Sequence, residues 1–506
     1  MKWTEYHLGN GEEYDKPVRE GMALFGLVAG KTAKTNADTL GLGPHEIGLT
    51  LMCQKAGDRW QVKAQIDYEN ESCQRCVKTS EGKTDGTDIG SAKARDWLIR
   101  LLLRDMMKEI TAYDPGPWGT LRGVRPVKIA HSMLDQGAAP ETIITEYVGR
   151  YGTTGAKAKL ATDIALRQRP FLARPGTVNR SVSLYIAIPY CLTRCLYCSF
   201  PSNPLPRDQK QVREFLQALY DDMADTAETI RRHRLRVDTV YIGGGTPTSL
   251  GEDVFAELLQ RVKEVFIHTP SAEFTVEAGR PDSMSAGKIS AMVHCGVNRV
   301  SINPQSMQDR TLQLIGRSHT VRDVVDIFHQ FRDYKSISIN MDVIAGLPGE
   351  TEKDMIDTME KIASLAPDNL TVHTLALKRG SELKLAAGAY PLPDEKTTSS
   401  MTAIAAKYAN QMGMVPYYLY RQKYMTGNLE NIGYARPGTE CVYNIQIMEE
   451  RQTIIGLGPA ASSKIVDTTS MKLTSCYHPK EVNRYISHLP VYLAQRRRLL
   501  DELYGK

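Results

Sequence analysis

The chain has 506 residues, of which 42% are apolar and 24% charged, and this composition excludes a chain that is disordered for lack of apolar residues. Its net charge of +5 is too small to indicate nucleic-acid binding, and no apolar run approaches the roughly 20 residues of a membrane span. Because the first residues also lack the apolar core of a signal peptide, we expect a cytoplasmic protein.

The N-terminal part of the chain combines short apolar stretches with a helix. IGLTLMC and WQVKAQIDY have the length of strands, and AKARDWLIRLLLRDMMKEI is typical of a helix, so residues 1–112 are predicted as a small α+β domain. Residues 113–178 begin with the turn DPGPWG, continue with helical patterns and end in RPFLARPGTVN. The prolines and glycine of that last stretch predict a linker, and we interpret 113–178 as a helical connector.

From Ser183 onward, strand and helix patterns alternate. The predicted strands are LYIAIPY, VDTVYIGGG, EFTVEAG, VNRVSINPQS, SISINMDVIAGLPG and LTVHTLAL, separated by helices at 208–234, 252–266, 283–294, 308–333 and 352–365. Such alternation is typical of parallel βαβ units in an α/β protein. An eightfold barrel takes about 250 residues, so we predict a partial (β/α)6 TIM-like barrel over 179–384. The alternation is lost afterwards, and 385–506 is predicted as a mostly helical C-terminal domain on the substrate side.

Three cysteines follow the first of these strands. Cys191, Cys195 and Cys198 have the spacing C-x3-C-x2-C, at the C-terminal end of a barrel strand where chemistry is expected. Three thiolates on one loop can hold three irons of a four-iron cluster and leave the fourth iron free to bind another molecule. The alternative is a zinc site completed by a distant His or Cys.

The cysteine loop and the glycine-rich end of the second strand resemble the radical S-adenosylmethionine enzymes. In order along the chain, YIAIPYC, YIGGGTPT, TVEAGRPD, SINPQS, GRSHT and NMDVIAGLPGE resemble the oxygen-independent coproporphyrinogen III oxidase group. WGTLRGVRPVKIAH and YYLYRQKYMTGNLENIGYA are similar to its coproporphyrinogen dehydrogenase branch, found in Gram-positive bacteria. The resemblance implies a 4Fe–4S cluster on Cys191, Cys195 and Cys198, with S-adenosylmethionine as the second cofactor.

The resemblance also implies which residues hold S-adenosylmethionine. Gly244, Gly245 and Thr246 would hold the methionine moiety, and Glu277 would accept hydrogen bonds from the ribose. The other matching positions are Gln305, Arg317 and Asp342 around the ribose and the methionine carboxylate, Tyr185 and Tyr197 near the cluster and nucleoside, and Ala376 and Ile455 against the adenine. Each polar residue alone fits an ordinary strand-end role, and the ordered set favours the functional interpretation.

A candidate substrate wall lies further along the chain. Tyr418 and Tyr420 alternate with Leu419, Arg421 and Lys423, the pattern of a strand with one aromatic and one cationic face. Arg421 and Lys423 would meet substrate carboxylates, since an Arg fork binds a carboxylate through two hydrogen bonds. The alternative is an edge strand with two solvated cations.

The resemblance implies an enzyme of heme biosynthesis that oxidises coproporphyrinogen III, a tetrapyrrole, without oxygen. It would work as a monomer with a reducing electron donor such as flavodoxin or ferredoxin. The sequence differs from related proteins at two positions, which leave alternative functions open. Phe200 stands where the oxidase proper has a fourth cysteine, and Tyr443 stands where a related heme chaperone has a histidine. A different radical reaction on a tetrapyrrole, such as methyl transfer or ring opening, and non-catalytic heme binding are the alternatives.

Overall fold

The computed structural model describes residues 5–8, 14–29, 46–69, 74–84, 90–123, 125–268, 272–378, 380–386, 388–422 and 425–505. The chain forms two compact units. One contains 1–163 with 421–423 and 427–429, and the other contains 164–420, 424–426 and 430–506. The boundary therefore falls inside the predicted connector 113–178, and the predicted segments 179–384 and 385–506 belong largely to one unit.

The first unit has the predicted α+β character. Its elements are β1 (Glu5–Leu8), α1 (Asp15–Met22), β2 (Val28–Ala29), β3 (Glu46–Ala56), β4 (Arg59–Glu69), β5 (Arg75–Lys83), α2 (Ala92–Thr111), α3 (Pro126–Asp135), α4 (Pro140–Tyr151) and the start of α5 (Gly155–Gln168). The strands form a sheet in the order β2-β1-β3-β4-β5. Helix α2 buries Ile99 and Leu103 in one apolar core with Leu49 and Val62 of the sheet, so burial of its apolar face fixes the helix.

The second unit begins with the predicted alternation of strands and helices. Its first elements are β6 (Ser181–Ile188), β7 (Tyr190–Cys191), β8 (Asn203–Pro204), α6 (Gln209–Arg232), β9 (Arg236–Gly244), α7 (Glu252–Phe266), β10 (Glu273–Glu277), α8 (Ala286–Cys295), β11 (Arg299–Gln305), α9 (Asp309–Leu314), α10 (Val321–Arg332), β12 (Ser338–Ala345), α11 (Glu352–Leu365) and β13 (Asn369–Thr374). β6, β9, β10, β11, β12 and β13 are neighbours in this order, and all their pairings are parallel. The prediction of a partial barrel of parallel strands is confirmed.

Helices make up most of the regular structure over 385–506, and strands from this segment extend the barrel sheet. The elements are α12 (Glu382–Leu385), α13 (Glu395–Gln411), β14 (Val415–Tyr420), β15 (Asn431–Ala435), α14 (Val442–Glu449), β16 (Thr453–Leu457), β17 (Ser462–Asp467), β18 (Lys472–Tyr477) and α15 (Val482–Tyr504). β15 continues the sheet antiparallel to β13, and β16 lies parallel to β6 at the other end. β15 and β16 are buried along their whole length, so they lack the alternation that predicts a strand.

Successive residues of the barrel strands lie on opposite faces of the sheet. Val240, Ile242 and Val276 are fully buried, as expected for side chains covered by the surrounding helices. The intervening Tyr241 and Glu277 are hydrogen-bonded to each other, which places them on the other face, inside the barrel. In the part of the chain that the structure describes, no helix is long and apolar enough to cross a membrane.

Candidate active site

The three cysteines lie on the loop that leaves the C-terminal end of β6. The short strands β7 and β8 pair in parallel and close this loop, and the Leu205 N–H donates to the Cys191 carbonyl at 3.0 Å. All three thiols are partly exposed. Burial raises the pKa of the Cys198 thiol, and negative charge on Cys195 and Cys191 raises it further. The thiols are therefore near enough to repel one another as thiolates, and a bound cation would relieve this repulsion.

Neighbouring segments hold the cysteine loop in place. The Leu196 N–H donates to the Ile315 carbonyl at 3.0 Å, and the Leu383 N–H donates to the Leu196 carbonyl at 2.9 Å. Arg280 donates to the Thr193 carbonyl at 2.9 Å while its guanidinium pairs with Asp282. These contacts fix the loop from the segment after β10, the end of α9 and α12, so the thiols have a defined position.

The glycines after β9 pack against the cysteine strand. Gly244 has φ +111°, and a Cβ on Gly245 would lie 2.5 Å from the Tyr190 carbonyl oxygen and 3.1 Å from Cys191 Sγ. The Thr246 hydroxyl donates to Cys191 Sγ at 3.5 Å. Close approach of two backbones therefore requires glycine here, a role that the sequence analysis did not assign to these residues.

Glu277 ends β10 inside the barrel. It accepts a hydrogen bond from the Tyr241 hydroxyl at 2.8 Å. Burial raises the pKa of this carboxyl to about 7, and the nearby Asp342 charge adds to the effect. A carboxylate in such surroundings is stabilised by any ligand that donates hydrogen bonds to it.

Asp342 lies on β12 within a second polar network. Asn340 donates to Asp342 Oδ1 at 2.7 Å, and His373 Nε2 lies 3.4 Å from Asp342 Oδ2. The Tyr420 hydroxyl is 3.3 Å from the other ring nitrogen of His373. The structure thus brings Glu277 and Asp342 together and adds Tyr241 and His373, which the sequence analysis missed. The signal for both was a ring side chain with a polar atom, placed next to a buried valine on a barrel strand.

Gln305 and Arg317 each carry a buried polar atom without a partner among the described residues. Gln305, 7% exposed, ends β11 with φ +66°, a backbone conformation that is costly for a residue other than glycine. Its Oε1 accepts no hydrogen bond, and Arg317 Nε donates none. The rest of the Arg317 guanidinium donates to the Asn303 carbonyl at 2.6 Å and to the Tyr197 hydroxyl at 3.3 Å. Because buried polar atoms are normally paired, a polar ligand bound beside the cysteine loop would satisfy both atoms.

Tyr185 belongs to an aromatic cluster, which consists of Tyr185, Tyr241 and Tyr443. The Tyr443 ring stacks on Tyr241 with 4.6 Å between centroids and on Tyr185 with 6.0 Å. Tyr443 lies in the first turn of α14, where Glu273 accepts hydrogen bonds from the Val442 and Tyr443 N–H groups. This cluster gives the barrel interior a flat aromatic wall.

The two residues expected against the adenine have different surroundings. Ala376 follows β13 and is partly exposed. Ile455 lies on β16, where it pairs with Leu184 and is fully buried. Paired residues share a sheet face, so the Ile455 side chain lies on the face opposite Tyr185 and does not form the expected wall inside the barrel.

The two cations expected to bind the substrate, Arg421 and Lys423, come in the sequence after the strand that was predicted to carry them. The strand ends at Tyr420, so Arg421 follows it, and Lys423 lies outside the described residues. Arg421 is 5% exposed and belongs to the first unit. It donates to the Leu429 carbonyl at 3.2 Å and to Asn428 Oδ1 at 2.7 Å, and its guanidinium lies 5.2 Å from the Trp118 ring. These internal contacts explain the burial of Arg421. Because they occupy its donors, Arg421 stabilises the fold instead of anchoring the substrate.

Comparison with known proteins identifies the family. Residues 185–362 match the radical SAM superfamily. The chain is 38% identical over 390 residues to the oxygen-independent coproporphyrinogen-III oxidase-like protein HemZ of Bacillus subtilis (strain 168), covering 77% of this chain and 78% of that protein. The chain belongs to the oxygen-independent coproporphyrinogen-III oxidase-like group of the radical SAM superfamily.

Two further proteins are similar to the chain, one in sequence and one in fold. The heme chaperone HemW of Bacillus subtilis (strain 168) is 30% identical over 301 residues, which cover 58% of this chain and 74% of that protein. The coproporphyrinogen III oxidase HemN from Escherichia coli, described as a radical SAM enzyme, has a TM-score of 0.51 at 22% sequence identity. That match covers 65% of this chain and 72% of HemN and shows the shared fold.

Membership of this family means that the protein uses a 4Fe–4S cluster and S-adenosylmethionine. Within the described part of the chain, no three His, Cys, Asp or Glu side chains are arranged around a single metal ion. A four-iron cluster takes its thiolates on separate irons, and the loop of Cys191, Cys195 and Cys198 fits that requirement. The unpartnered atoms of Gln305 and Arg317 and the buried carboxyl of Glu277 fit a polar nucleoside and amino-acid ligand.

Sequence reasoning also missed Lys378, which follows β13 at the same edge of the barrel. Its amine lies 5.9 Å from the centroid of the Phe200 ring on the cysteine loop, and burial lowers its pKa. The signal was a cation placed shortly after a barrel strand, where functional side chains are expected.

Proposed function

We propose that this protein catalyses the oxygen-independent conversion of coproporphyrinogen III to protoporphyrinogen IX. Each of two propionate side chains would lose CO2, one hydrogen atom from its β-carbon to the radical derived from S-adenosylmethionine, and one electron to an external one-electron acceptor, leaving a vinyl group. The observation that carries the proposal is the pair of unpartnered buried atoms, Gln305 Oε1 and Arg317 Nε, in a barrel whose edge bears the cysteine loop. The substrate class is inferred from the HemZ relative, of which the chain covers 78%.

When bound, the cluster and S-adenosylmethionine supply a one-electron cleavage that yields a hydrogen-abstracting radical. The chain's own residues would position the cofactor for this cleavage. Arg317 Nε would donate to the methionine carboxylate, and Glu277, as an anion, would accept hydrogen bonds from the ribose. Asp342 and Gln305 would complete the polar contacts. A donor such as flavodoxin or ferredoxin would supply the electron, and we propose that the protein acts as a monomer.

Heme binding without catalysis is the alternative, favoured by the 30% identity to HemW. The surroundings of Tyr443, at the chaperone's histidine position, count against it. Its ring is stacked on two other tyrosines, and burial raises the pKa of its hydroxyl well above the ordinary value. A phenol that stays neutral and buried is a poor ligand for haem iron, since a Tyr ligand binds as the phenolate.

The test is anaerobic incubation of cluster-loaded protein with S-adenosylmethionine, a reductant and coproporphyrinogen III. We expect 5′-deoxyadenosine and a tetrapyrrole product that has lost two CO2 by mass. The Cys198→Ala variant should form neither product. Tight stoichiometric haem binding, with no mass change in coproporphyrinogen III under conditions where S-adenosylmethionine is cleaved, would favour the chaperone alternative.

A further inference from the structure

The segment after β13 lies against the cysteine loop. Arg194, between the first two cysteines, donates to the Gly380 carbonyl at 2.6 Å, and the Leu383 N–H donates to the Leu196 carbonyl at 2.9 Å. Lys378 therefore stands beside the loop that carries the cluster ligands. The reaction takes place at this edge of the barrel, so a side chain there can contact the substrate.

The Lys378 ammonium has no carboxylate partner among the described residues, and the negative charge that acts on it is that of the Cys198 thiolate. Its Nζ lies 5.9 Å from the centroid of the Phe200 ring, within the range of a cation–π contact. Among the described residues, no carboxylate forms a salt bridge with Lys378, although the side chain is half-buried. A partly buried ammonium without a directly paired carboxylate is unfavourable, and a carboxylate ligand would relieve the cost.

Exposed apolar side chains lie on the same two segments as this cation. Phe200 is 63% exposed and Leu385, at the end of α12, is 78% exposed. Leu192 on the cysteine loop is exposed as well. Large apolar side chains on a surface indicate a contact with another molecule when they cluster beside a functional site. The two adjoining segments thus combine a cation with apolar surface, which suits a ligand that has both a carboxylate and an apolar body.

We propose that Lys378 and Phe200 form a substrate subsite, in which Lys378 pairs with a side-chain carboxylate and Phe200 packs against the ring that bears it. This inference rests on the proposed function, whose substrate carries four carboxylates around a large apolar ring. It also gives a role to Phe200, which occupies the position of the oxidase's fourth cysteine. Lys378 thereby takes the anchoring task that the sequence analysis gave to Arg421.

The subsite is tested by binding and by turnover with the full-length, cluster-loaded protein. The binding probe is coproporphyrin III, which carries the same four carboxylates, and the comparison probe is its uncharged tetra-amide. We expect Lys378→Met to weaken binding of coproporphyrin III about tenfold or more, as for loss of one charged hydrogen bond. Binding of the tetra-amide should change little. Lys378→Arg should restore most of the affinity, and Lys396→Met, an exposed lysine on α13, serves as the matched control.

Turnover separates this inference from the proposed function. Lys378→Met should raise KM for coproporphyrinogen III about as much as it weakens coproporphyrin binding, with a smaller effect on kcat. If the unmodified protein does not decarboxylate coproporphyrinogen III but Lys378→Met still weakens coproporphyrin III binding selectively, the subsite stands and the proposed function fails. Unchanged coproporphyrin III affinity and KM in Lys378→Met would overturn the subsite, as would an equal loss of tetra-amide binding.

Discussion

Replacing Glu277 by Gln should make the cofactor-free protein more stable while weakening its affinity for S-adenosylmethionine. Burial raises the pKa of this carboxyl from its ordinary value of 4.5 to about 7. The folded protein therefore binds the Glu277 proton more tightly than the unfolded chain does. Between pH 4.5 and 7 the ionised form becomes dominant in the unfolded chain first, so this group lowers the stability of the fold as pH rises.

The size of the effect follows from the same difference in pKa. One pKa unit corresponds to about 1.4 kcal/mol, so the ionised carboxyl destabilises the fold by at most about 3 kcal/mol above pH 7. Gln has the same shape, remains neutral and can still accept the hydrogen bond from Tyr241. Glu277→Gln should thus gain up to that amount at pH 8 and almost nothing at pH 4.5.

Affinity for the cofactor should change in the opposite direction. A hydrogen bond to a charged acceptor contributes about 1.5–3 kcal/mol, so the variant should bind S-adenosylmethionine about tenfold or more weakly. Thermal unfolding of cluster-free protein at pH 4.5 and pH 8 measures the first effect, and titration calorimetry of cluster-loaded protein measures the second. Glu214→Gln on the exposed face of α6 is the control. A variant with no pH-dependent gain in stability and unchanged affinity would refute the assigned environment and role of Glu277.

Three other predictions address the cluster, a buried ion pair and Arg421. Replacing Cys191, Cys195 or Cys198 by Ala should abolish the iron–sulfur absorbance. Replacing Cys76 together with Cys73, which lies outside the described residues, should preserve it. Loss of the cluster in that double variant would contradict the assignment. Asp222 lies 2.7 Å from Arg496 with both side chains buried, so Asp222→Ala should cost about 3–5 kcal/mol in urea unfolding. An Asp222→Leu/Arg496→Met double variant should recover only the part due to the unpaired Arg496 charge, because Asp222 also accepts hydrogen bonds from the Gly458 N–H and the Tyr485 hydroxyl. An Asp222→Ala variant as stable as the unmodified protein would contradict this assignment. Arg421→Ala should lower the melting temperature and reduce cofactor cleavage and substrate turnover together, and a selective loss of turnover would instead restore its role as a substrate anchor.

The sequence alone predicted the barrel well because its strands and helices alternate at lengths that periodicity detects. The helix bounds 252–266 and 352–365 coincide with α7 and α11. Strands β15 and β16 were missed because they are short, buried along their whole length and separated by a helix. Their place in the sheet depends on pairing with β13 and β6, which are distant in sequence.

The residues of the candidate site were predictable where a sequence motif carries the chemistry. They were not predictable where tertiary packing determines the position of a side chain. The cysteine spacing and Glu277 at a strand end were visible in the sequence. Arg421 was expected to face the substrate because it alternates with Tyr420, but the strand ends before it, and internal carbonyls take its donors. Lys378 has no motif of its own, and its place beside the cysteine loop is seen in the structure, where its amine lies 5.9 Å from the centroid of the Phe200 ring.

A deuterium-transfer measurement tests most directly the central claim, which is that the protein abstracts hydrogen from the propionates of coproporphyrinogen III. Coproporphyrinogen III deuterated at the β-carbons of its propionates would be incubated anaerobically with the cluster-loaded protein, a reductant and S-adenosylmethionine. We predict that deuterium appears in 5′-deoxyadenosine and that divinyl product forms in step with it. Unlabelled 5′-deoxyadenosine, with the tetrapyrrole recovered unchanged, would contradict the proposed function.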